Sequence, residues 1–274
     1  MDITKSRINK MESKINKMES KMNITMFQAD TIENQVEENI ARYSKILRNL
    51  NPTTDLLIFP EMFLTGFTFD TAMAKWANIG LEFMKNIAEA HKTAVCGSIL
   101  TEEGGKYFNR SYFVYPDLSI KHYDKHHLFS ISEESKLLTA GSKRLTLNYK
   151  NWNIRLITCY DIRFGSWVQN INRDGVLDYD LLICPSSWVD SRIHAFDTLL
   201  ASRAIENQSF VAGVNRCGTD ASGLIYSGHS AVLDFKGKVV AAANDKNEEL
   251  VFCSLDREQL LRFRNAFPVW RDWE

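Results

Sequence analysis

Short apolar runs alternate with amphipathic stretches along most of this 274-residue chain, and this alternation restricts its fold more than any other feature. Residues 24–27 form an apolar run typical of a strand, and apolar side chains then recur at the spacing of one helix face as far as Leu47. The same order returns with the apolar run 56–59, a helical pattern from Trp76 to Ile87, and the buried-type strand 93–99. Repeated strand–helix units predict an α/β fold.

The second half of the chain continues this pattern after a hairpin. Residues 145–149 and 152–157 are predicted to pair across Lys150-Asn151, which favours a turn. The strand, helix, strand and hairpin that follow are predicted at residues 181–184, about 194–207, 210–214 and around 234–238. Since no Ser-, Gly- or Pro-rich linker separates the two halves, we predict one domain over residues 23–274.

Residues 1–22 differ from the rest of the chain. They contain two copies of the heptad Ile-Asn-Lys-Met-Glu-Ser-Lys, at residues 8–21, with apolar side chains at a/d spacing. Two heptads fall short of the three or four that indicate a coiled coil, and so short a helix is marginal in water. We therefore expect a polar, disordered extension, and Met22 is a candidate initiator.

Composition and charge favour a globular protein that acts on a small molecule. With 45% hydrophobic and 24% charged residues, the chain can bury a large core. Its 33 basic and 34 acidic residues are mixed along the chain, and the formal net charge of -1 leaves no electrostatic footprint for nucleic acid or an anionic membrane. No apolar run approaches the roughly 20 residues that cross a bilayer, and the N-terminus lacks the apolar segment of a signal peptide. We expect a cytoplasmic protein.

The five cysteines are widely spaced, which favours reduced thiols over a disulfide framework or a metal pair. Cys96, Cys184 and Cys253 lie in apolar runs, where a thiol packs as a small hydrophobe. Cys159 differs because an apolar strand ends at it and polar residues follow. A thiol at a strand end can face backbone N–H groups that favour thiolate and hold an oxyanion. A buried structural cysteine is the alternative.

A thiol nucleophile needs help, because only a few per cent is thiolate at neutral pH. No histidine has a recognisable cysteine-protease setting, and the adjacent His126 and His127 lack the spacing of a metal pair. Glu61 directly follows an apolar strand, where burial would raise its pKa toward that of a general base. Lys125 lies in an aromatic, partly apolar stretch. Taken singly, each charge could be a solvated strand end.

The segments Phe-Pro-Glu-Met-Phe around Glu61, Tyr-Asp-Lys-His-His around Lys125 and Thr-Cys-Tyr-Asp-Ile around Cys159 resemble, in this order, the three motifs of the nitrilase or carbon-nitrogen hydrolase superfamily. Further similar stretches are Asn109-Arg110-Ser111, Pro185-Ser186-Ser187-Trp188 and residues 201–207. The resemblance covers residues 23–274. It implies a four-layer α-β-β-α sandwich, usually dimerised so that the layers continue across the interface, and therefore a homodimer.

The resemblance also implies roles for individual residues. Cys159 would be the nucleophile, Glu61 the general base and acid, and Lys125 the cation beside the developing oxyanion. Lys125 near the sulfur would favour thiolate, and the backbone N–H of Tyr160 would also contact the oxyanion. The reaction would need no cofactor and no metal ion.

A second glutamate of the superfamily orients the lysine and the substrate. The acidic pair before Ala140-Gly141 resembles the loop that carries it. Gapless matching back from Gly141 identifies Glu134, with Glu133 as the alternative. A plain solvated acidic pair is a third possibility.

Four short stretches point to one branch of the superfamily, namely residues 160–164, 204–208, 213–216 and 267–270. In these stretches the chain looks most like the bacterial omega-amidases of the YafV type. The resemblance implies that the chain hydrolyses the terminal amide of 2-oxoglutaramate, 2-oxosuccinamate or similar short dicarboxylic monoamides. We expect Trp188 to form a pocket wall, because α/β sites gather at the carboxyl ends of strands. The substrate's free carboxylate needs a cation or donors, for which Arg192, Arg216 and backbone groups near Trp188 are candidates. Arg163 follows the nucleophile so closely that a structural ion pair is at least as good an explanation for it as a contact with the substrate carboxylate.

Two alternatives remain for the function. Another branch of the superfamily would act on N-carbamoyl amino acids, aliphatic amides or nitriles. A non-catalytic binding or assembly module would keep the fold and use the heptad segment to associate. All three motif positions are filled, which favours the enzyme.

Overall fold

The structure, a computed structural model, describes residues 20–170 and 176–273. Apart from its last three residues, the predicted disordered extension lies outside the described residues. Strand β1 begins at Lys21, two residues before the predicted start of the domain, and Met22 is fully buried in it. The backbone N–H of Arg257 also donates to the carbonyl of Ser20 at 2.9 Å. The folded part therefore extends slightly upstream of residue 23.

Strands and helices alternate through the described ranges. The strands are β1 (Lys21–Gln28), β2 (Leu56–Ile58), β3 (Ala94–Glu103), β4 (Lys106–Val114), β5 (Ile120–Asp124), β6 (Leu145–Tyr149), β7 (Trp152–Leu156), β8 (Leu181–Ser186), β9 (Phe210–Asn215), β10 (Cys217–Thr219), β11 (Ile225–Ser227), β12 (Ala231–Leu233), β13 (Val239–Ala242) and β14 (Glu249–Asp256). The α-helices are α1 (Val36–Ile46), α2 (Ala77–His91), α3 (Glu134–Leu137), α4 (Gly165–Val168), α5 (Ile193–Asn207) and α6 (Arg257–Ala266). None of these helices is long and apolar enough to cross a membrane.

Most strands belong to two large sheets with the same internal pattern. The strand orders are β14-β1-β2-β3-β4-β5 and β13-β12-β9-β8-β7-β6. Strands β1, β2 and β3 are parallel, as are β7, β8 and β9, and the flanking strands pair antiparallel. Within each sheet the parallel strands end on one edge, where ligand sites of α/β folds form.

The two sheets pack face to face, and helices cover their outer faces. In β2, Leu56 and Ile58 join the cluster between the sheets, whereas Leu57 packs with side chains of α1 and α2. In β8, Ile183 faces the same central cluster and Leu182 packs with α5. Because successive side chains of a strand point to opposite faces, fully apolar strands are buried on both sides. The predicted α-β-β-α sandwich is confirmed.

Most locally patterned elements match their predictions. The predicted helix at about 194–207 is α5, and the hairpin across Lys150-Asn151 joins β6 to β7. Cys96, Cys184 and Cys253 pack in the core as predicted. The sequence did not reveal that β14 pairs with β1 along eight residues, because this pairing joins the two ends of the domain and has no local pattern.

Candidate active site

The three candidate triad residues lie where strands of the two sheets end. Glu61 follows β2, Lys125 immediately follows β5, and Cys159 follows β7. The backbone N–H of Glu61 donates to the carbonyl of Ser186 at the end of β8, at 3.3 Å, so the two sheets are joined at this edge. The fold therefore brings together residues that are far apart in sequence.

Cys159 begins a 3-10 turn, Cys159–Arg163, in a left-handed backbone conformation with φ of 45°. A non-glycine residue in this region is strained by about 1–3 kcal/mol and persists only where its surroundings hold it. The backbone N–H of Thr158 donates to the carboxylate of Asp161 at 3.0 Å, which caps the turn. The Thr158 hydroxyl lies 2.8 Å from that of Ser111 on β4. The residue before Cys159 is thus bonded both to its own turn and to β4 of the other sheet.

Lys125 lies between two buried carboxylates. Its Nζ donates to Glu61 Oε1 at 2.8 Å and to Glu134 Oε1 and Oε2 at 2.9 and 2.8 Å. Asn109 Nδ2 donates to Glu61 Oε1 at 2.7 Å and to Glu134 Oε1 at 3.1 Å. All four side chains are buried. Glu134, the residue favoured by matching, therefore contacts the lysine, whereas Glu133 is exposed and pairs with Lys136.

The charges in this cluster set its protonation. Burial acts to lower the pKa of Lys125, but Glu134 and Glu61 raise it well above its usual value, so the lysine is cationic. Burial raises the pKa of Glu61, Lys125 opposes that shift, and Glu134 adds to it. Glu61 Oε1 is held by Lys125 and Asn109, whereas buried Oε2 accepts no hydrogen bond from an N–H or O–H group of the described residues. A contact with the Cys159 thiol acts to lower the Glu61 pKa.

The Cys159 thiol is buried, and its surroundings favour the protonated form. It is only 8% exposed. Burial and the charge of Glu61 raise its pKa well above the usual value, although Lys125 and the backbone N–H of Ser187 act in the opposite direction. Lys125 therefore favours thiolate, as expected, but burial and the charge of Glu61 outweigh its effect. The arrangement suits a thiol that passes its proton to Glu61 during attack.

A cavity of about 470 Å³ opens over the thiol. Its size lies within the roughly 300–1,000 Å³ typical of small-molecule sites. Five of the predicted site residues line it, namely Lys125, Cys159, Tyr160, Trp188 and Arg192, whereas Glu61, Glu134 and Arg216 do not. The remaining lining residues are Glu33, Phe67, Phe69, Phe129, Ser132, Arg163, Ser187, Val189, Asp220, Ala221, Ser222, Leu224 and Tyr226. No group of three or more His, Cys, Asp or Glu side chains in the described residues could hold a metal ion.

The candidate arginines occupy different places. The Arg163 guanidinium lies 4.6 Å from the Trp188 ring centre, and that of Arg192 lies 5.4 Å from the ring centre of Phe129. Both line the cavity, and within the described ranges neither pairs with a carboxylate. Arg216 does not line the cavity. It is buried behind Tyr226, 4.4 Å from that ring, with its guanidinium bonded to the carbonyls of Thr31 and Cys217.

Two buried residues of the site were not singled out from the sequence. Asn109 contacts both carboxylates that hold Lys125, and Asp161 caps the Cys159 turn. Each occurs within a stretch that resembles the superfamily. The available signal was a polar side chain within an otherwise apolar strand or turn, since such groups are buried only when they are hydrogen-bonded.

Comparison with known proteins identifies the family of the chain. The profile of the carbon-nitrogen hydrolase family matches residues 23–265. The chain is 31% identical over 250 residues to omega-amidase YafV of Escherichia coli K12, covering 91% of this chain and 95% of the relative. It is 28% identical over 254 residues to 2-oxoglutaramate amidase of Bacillus subtilis, covering 91% and 96%.

Solved structures give the same result. A CN-hydrolase superfamily protein of Xanthomonas campestris, with an arsenic adduct in its active site, superposes with a TM-score of 0.88 at 33% identity, covering 93% of this chain and 97% of the other. An amidase from Nesterenkonia sp., 21% identical with a TM-score of 0.77 and coverage of 92% and 96%, shares the fold. The chain therefore belongs to the carbon-nitrogen hydrolase family.

Proposed function

We propose that this chain is an omega-amidase that hydrolyses the terminal amide of short dicarboxylic monoamides, such as 2-oxoglutaramate or 2-oxosuccinamate, to the acid and ammonia. The observation that carries the proposal is the floor of the cavity, where Lys125 is held by Glu61 and Glu134 beside the Cys159 thiol. The relatives named as omega-amidase and 2-oxoglutaramate amidase support the substrate class.

In the first half of the proposed cycle, the sulfur of Cys159 attacks the amide carbon while its proton passes to Glu61. The carbonyl π electrons move onto oxygen, which is stabilised by Lys125 Nζ and the backbone N–H of Tyr160. The carbon–nitrogen bond then breaks, Glu61 gives its proton to the leaving nitrogen, and ammonia departs. A thioester with Cys159 remains.

In the second half, Glu61 takes a proton from water, and the hydroxide attacks the thioester carbon. The carbon–sulfur bond breaks, and Glu61 returns the proton to the sulfur of Cys159. The sum is amide plus water giving acid plus ammonia, and no cofactor or metal ion takes part in these steps. Glu134 and Asn109 keep Lys125 and Glu61 in place throughout.

The free carboxylate of the substrate is assigned to Arg163 and Arg192. Both guanidiniums line the cavity without a carboxylate partner in the described residues, and a carboxylate enclosed by aromatic walls needs such a partner. Tyr160 and Trp188 supply part of those walls. Arg216 is less suited, because its guanidinium is already bonded behind Tyr226.

Ammonia release by the purified protein tests the proposal. The panel is 2-oxoglutaramate, an N-carbamoyl amino acid and an aliphatic nitrile, with Cys159→Ala as the control for contaminating activity. We expect turnover of the first compound only. Failure on 2-oxoglutaramate with turnover of either of the others would assign the chain to another branch, and no turnover at all would favour a binding module.

The carboxylate assignment has its own test. Arg192→Ala and Arg163→Ala are each expected to raise KM for 2-oxoglutaramate about 10- to 200-fold, since a charge-assisted hydrogen bond contributes about 1.5–3 kcal/mol. A neutral primary amide of similar length should be nearly unaffected. An equal loss on both substrates would contradict the assignment.

We also propose that the chain forms a homodimer through the outer side of α5. Ile205 and Phe267 are 54% and 56% exposed, and Gln208, one turn after Ile205, donates to the Phe267 carbonyl at 2.7 Å. The Gln208 bond brings Phe267 to the end of α5, and exposed apolar side chains in this region favour an interface. Light scattering on a sizing column is expected to give twice the chain mass for wild type and the monomer mass for Ile205→Asp. A monomeric wild type would refute this.

A further inference from the structure

We propose that Asp161 is a positioning residue that fixes the Cys159 turn relative to Lys125 and so sets the geometry of the oxyanion site. This inference rests on the proposed amidase function and adds a residue that takes no part in the bond-making steps. Asp161 is fully buried and lies two positions after Cys159. Its two carboxylate oxygens hold both of the chain segments that carry the reacting groups.

On the nucleophile side, Asp161 Oδ2 accepts the backbone N–H of Thr158 at 3.0 Å. Thr158 directly precedes Cys159, whose left-handed backbone is unfavourable on its own. The carboxylate therefore bonds across Cys159 and Tyr160 and holds the turn that contains the nucleophile. Without it, relaxation of the turn would move the sulfur and the backbone N–H of Tyr160 together.

On the lysine side, the same carboxylate holds the residues that flank Lys125. Asp161 Oδ2 accepts the Tyr123 hydroxyl at 2.7 Å. Asp161 Oδ1 accepts the backbone N–H of His127 at 2.8 Å and lies 2.9 Å from the Nδ1 of the same residue. Tyr123 and His127 stand two positions before and two positions after Lys125. The Asp161 carboxylate thus bonds to Tyr123 before the lysine and to His127 after it.

The groups around Asp161 are themselves fixed. The Tyr123 hydroxyl accepts Trp167 Nε1 at 3.0 Å and the backbone N–H of His126 at 3.2 Å. Burial and the charge of Asp161 raise the Tyr123 pKa well above its usual value, so the hydroxyl remains a donor. The ring of His127 stacks on Phe164 with centres 3.7 Å apart. A network held this firmly can transmit the position of one segment to the other.

The consequence is geometric. The two proposed oxyanion donors, Lys125 Nζ and the N–H of Tyr160, come from different sheets, and Asp161 bonds to both of their chain segments. Rate depends steeply on such geometry, since a misplacement of about 1 Å can cost about 10²-fold. Loss of Asp161 should therefore lower kcat much more than it raises KM, because Phe129, Trp188 and Arg192 lie outside the Cys159–Arg163 turn and keep their places in the cavity wall.

The test is Asp161→Asn in the full-length protein, assayed by ammonia release from 2-oxoglutaramate. The substitution replaces one of the two accepting oxygens by an NH2 group, which is a donor and cannot accept from the N–H or O–H groups that face it. We expect kcat per active site to fall about 10²-fold with KM changed less than about threefold. The amount of folded protein, and hence of active sites, is determined by size-exclusion chromatography and thermal melting, so that loss of folded protein is not mistaken for slower chemistry.

Asp180→Asn is the matched control. Asp180 is also buried and bonded to several donors, among them Arg257 and Arg264, but it does not line the cavity. It is expected to lower the melting temperature without changing kcat per active site. If Asp161→Asn and Asp180→Asn have the same kcat per active site, Asp161 has a structural role only and the inference is overturned.

Tyr123→Phe provides a milder variant if Asp161→Asn does not fold. It removes one hydroxyl, and kcat is expected to fall about 3- to 10-fold with KM unchanged. In the double variant the two losses should not add, because both act through one carboxylate. Full additivity, or an unchanged kcat in Tyr123→Phe, overturns the inference. A wild type that releases no ammonia refutes the proposed function itself, whereas an active wild type with an unaffected Asp161 variant refutes this inference alone.

Discussion

Replacing Glu134 by glutamine should separate the contribution of Glu134 to catalysis from that of Glu61. Glu134 contacts Lys125 Nζ through both oxygens and accepts the backbone N–H of Phe129 at 2.6 Å. Glutamine has nearly the same shape and keeps one carbonyl oxygen for the lysine. It loses the negative charge and the second acceptor. The substitution therefore changes the electrostatics and hydrogen bonding of Lys125 with little change in packing.

The expected magnitude follows from the lost contact. A hydrogen bond to a charged group contributes about 1.5–3 kcal/mol, and about 1.36 kcal/mol corresponds to a tenfold change in rate. Loss of one such contact to Lys125, expressed in the transition state, lowers kcat about 10- to 200-fold. The charge of Glu134 also raises the pKa of Glu61. Glu134→Gln should therefore lower that pKa and move the acidic limb of kcat/KM to lower pH.

The assay is steady-state ammonia release across a pH series, with thermal melting as the check on folding. Glu133→Gln is the control, because Glu133 is adjacent in sequence but its side chain is 54% exposed and pairs with Lys136. It should have wild-type activity. The reasoning is refuted if Glu133→Gln is the more damaging change, or if folded Glu134→Gln keeps wild-type kcat and an unshifted acidic limb.

Three further predictions concern other parts of the molecule. Cys159→Ala should abolish ammonia release while leaving the melting temperature near that of wild type, and residual turnover at the wild-type rate would remove Cys159 from the mechanism. Because burial raises the pKa of Glu61, wild-type kcat/KM should fall as pH decreases through that raised pKa, and a pH-independent acidic region would contradict a Glu61 base. A chain that begins at Met22 should keep wild-type kcat and elution volume. Met22→Ala in the full chain should instead lower the free energy of unfolding, measured in urea, by about 2–5 kcal/mol, because Met22 is fully buried. If Met22→Ala is as stable as wild type, this end of β1 contributes little to stability.

The strand-end positions of Glu61 and Cys159 could be predicted because their signal is local. Each follows an apolar run that ends abruptly, and such a run is recognisable in a few residues. Lys125 follows β5, whose sequence Ile-Lys-His-Tyr-Asp is mixed and only partly buried, so its strand-end position has no such signal. The proximity of the three residues was predicted only from the order of three motifs that resemble a known superfamily. The same local signal did not distinguish Arg163 from Arg216, which differ in whether a neighbouring ring separates them from the cavity.

The roles of Asn109 and Asp161 could not be predicted in the same way. Asn109 is 48 residues from Glu61, and Asp161 is 38 residues from Tyr123, so neither contact leaves a trace in nearby sequence. Pairing of β14 with β1 is hidden for the same reason. A buried polar side chain has meaning only through its partners, and those partners come from other elements of the fold.

Periodicity was thus sufficient for an α/β fold, whereas the sandwich and the roles of the cysteine, the glutamate and the lysine followed from the resemblance of three ordered motifs to a known superfamily. Whether that cysteine rests as thiol or thiolate depends on burial, on the charge of Glu61 and on the opposing charge of Lys125, all at distances that the sequence does not contain. Electrostatic energies depend on separation and on exclusion of water, and both are properties of the assembled chain. The identity of the reacting residues is therefore a matter of local sequence, whereas their protonation and alignment are products of the tertiary structure.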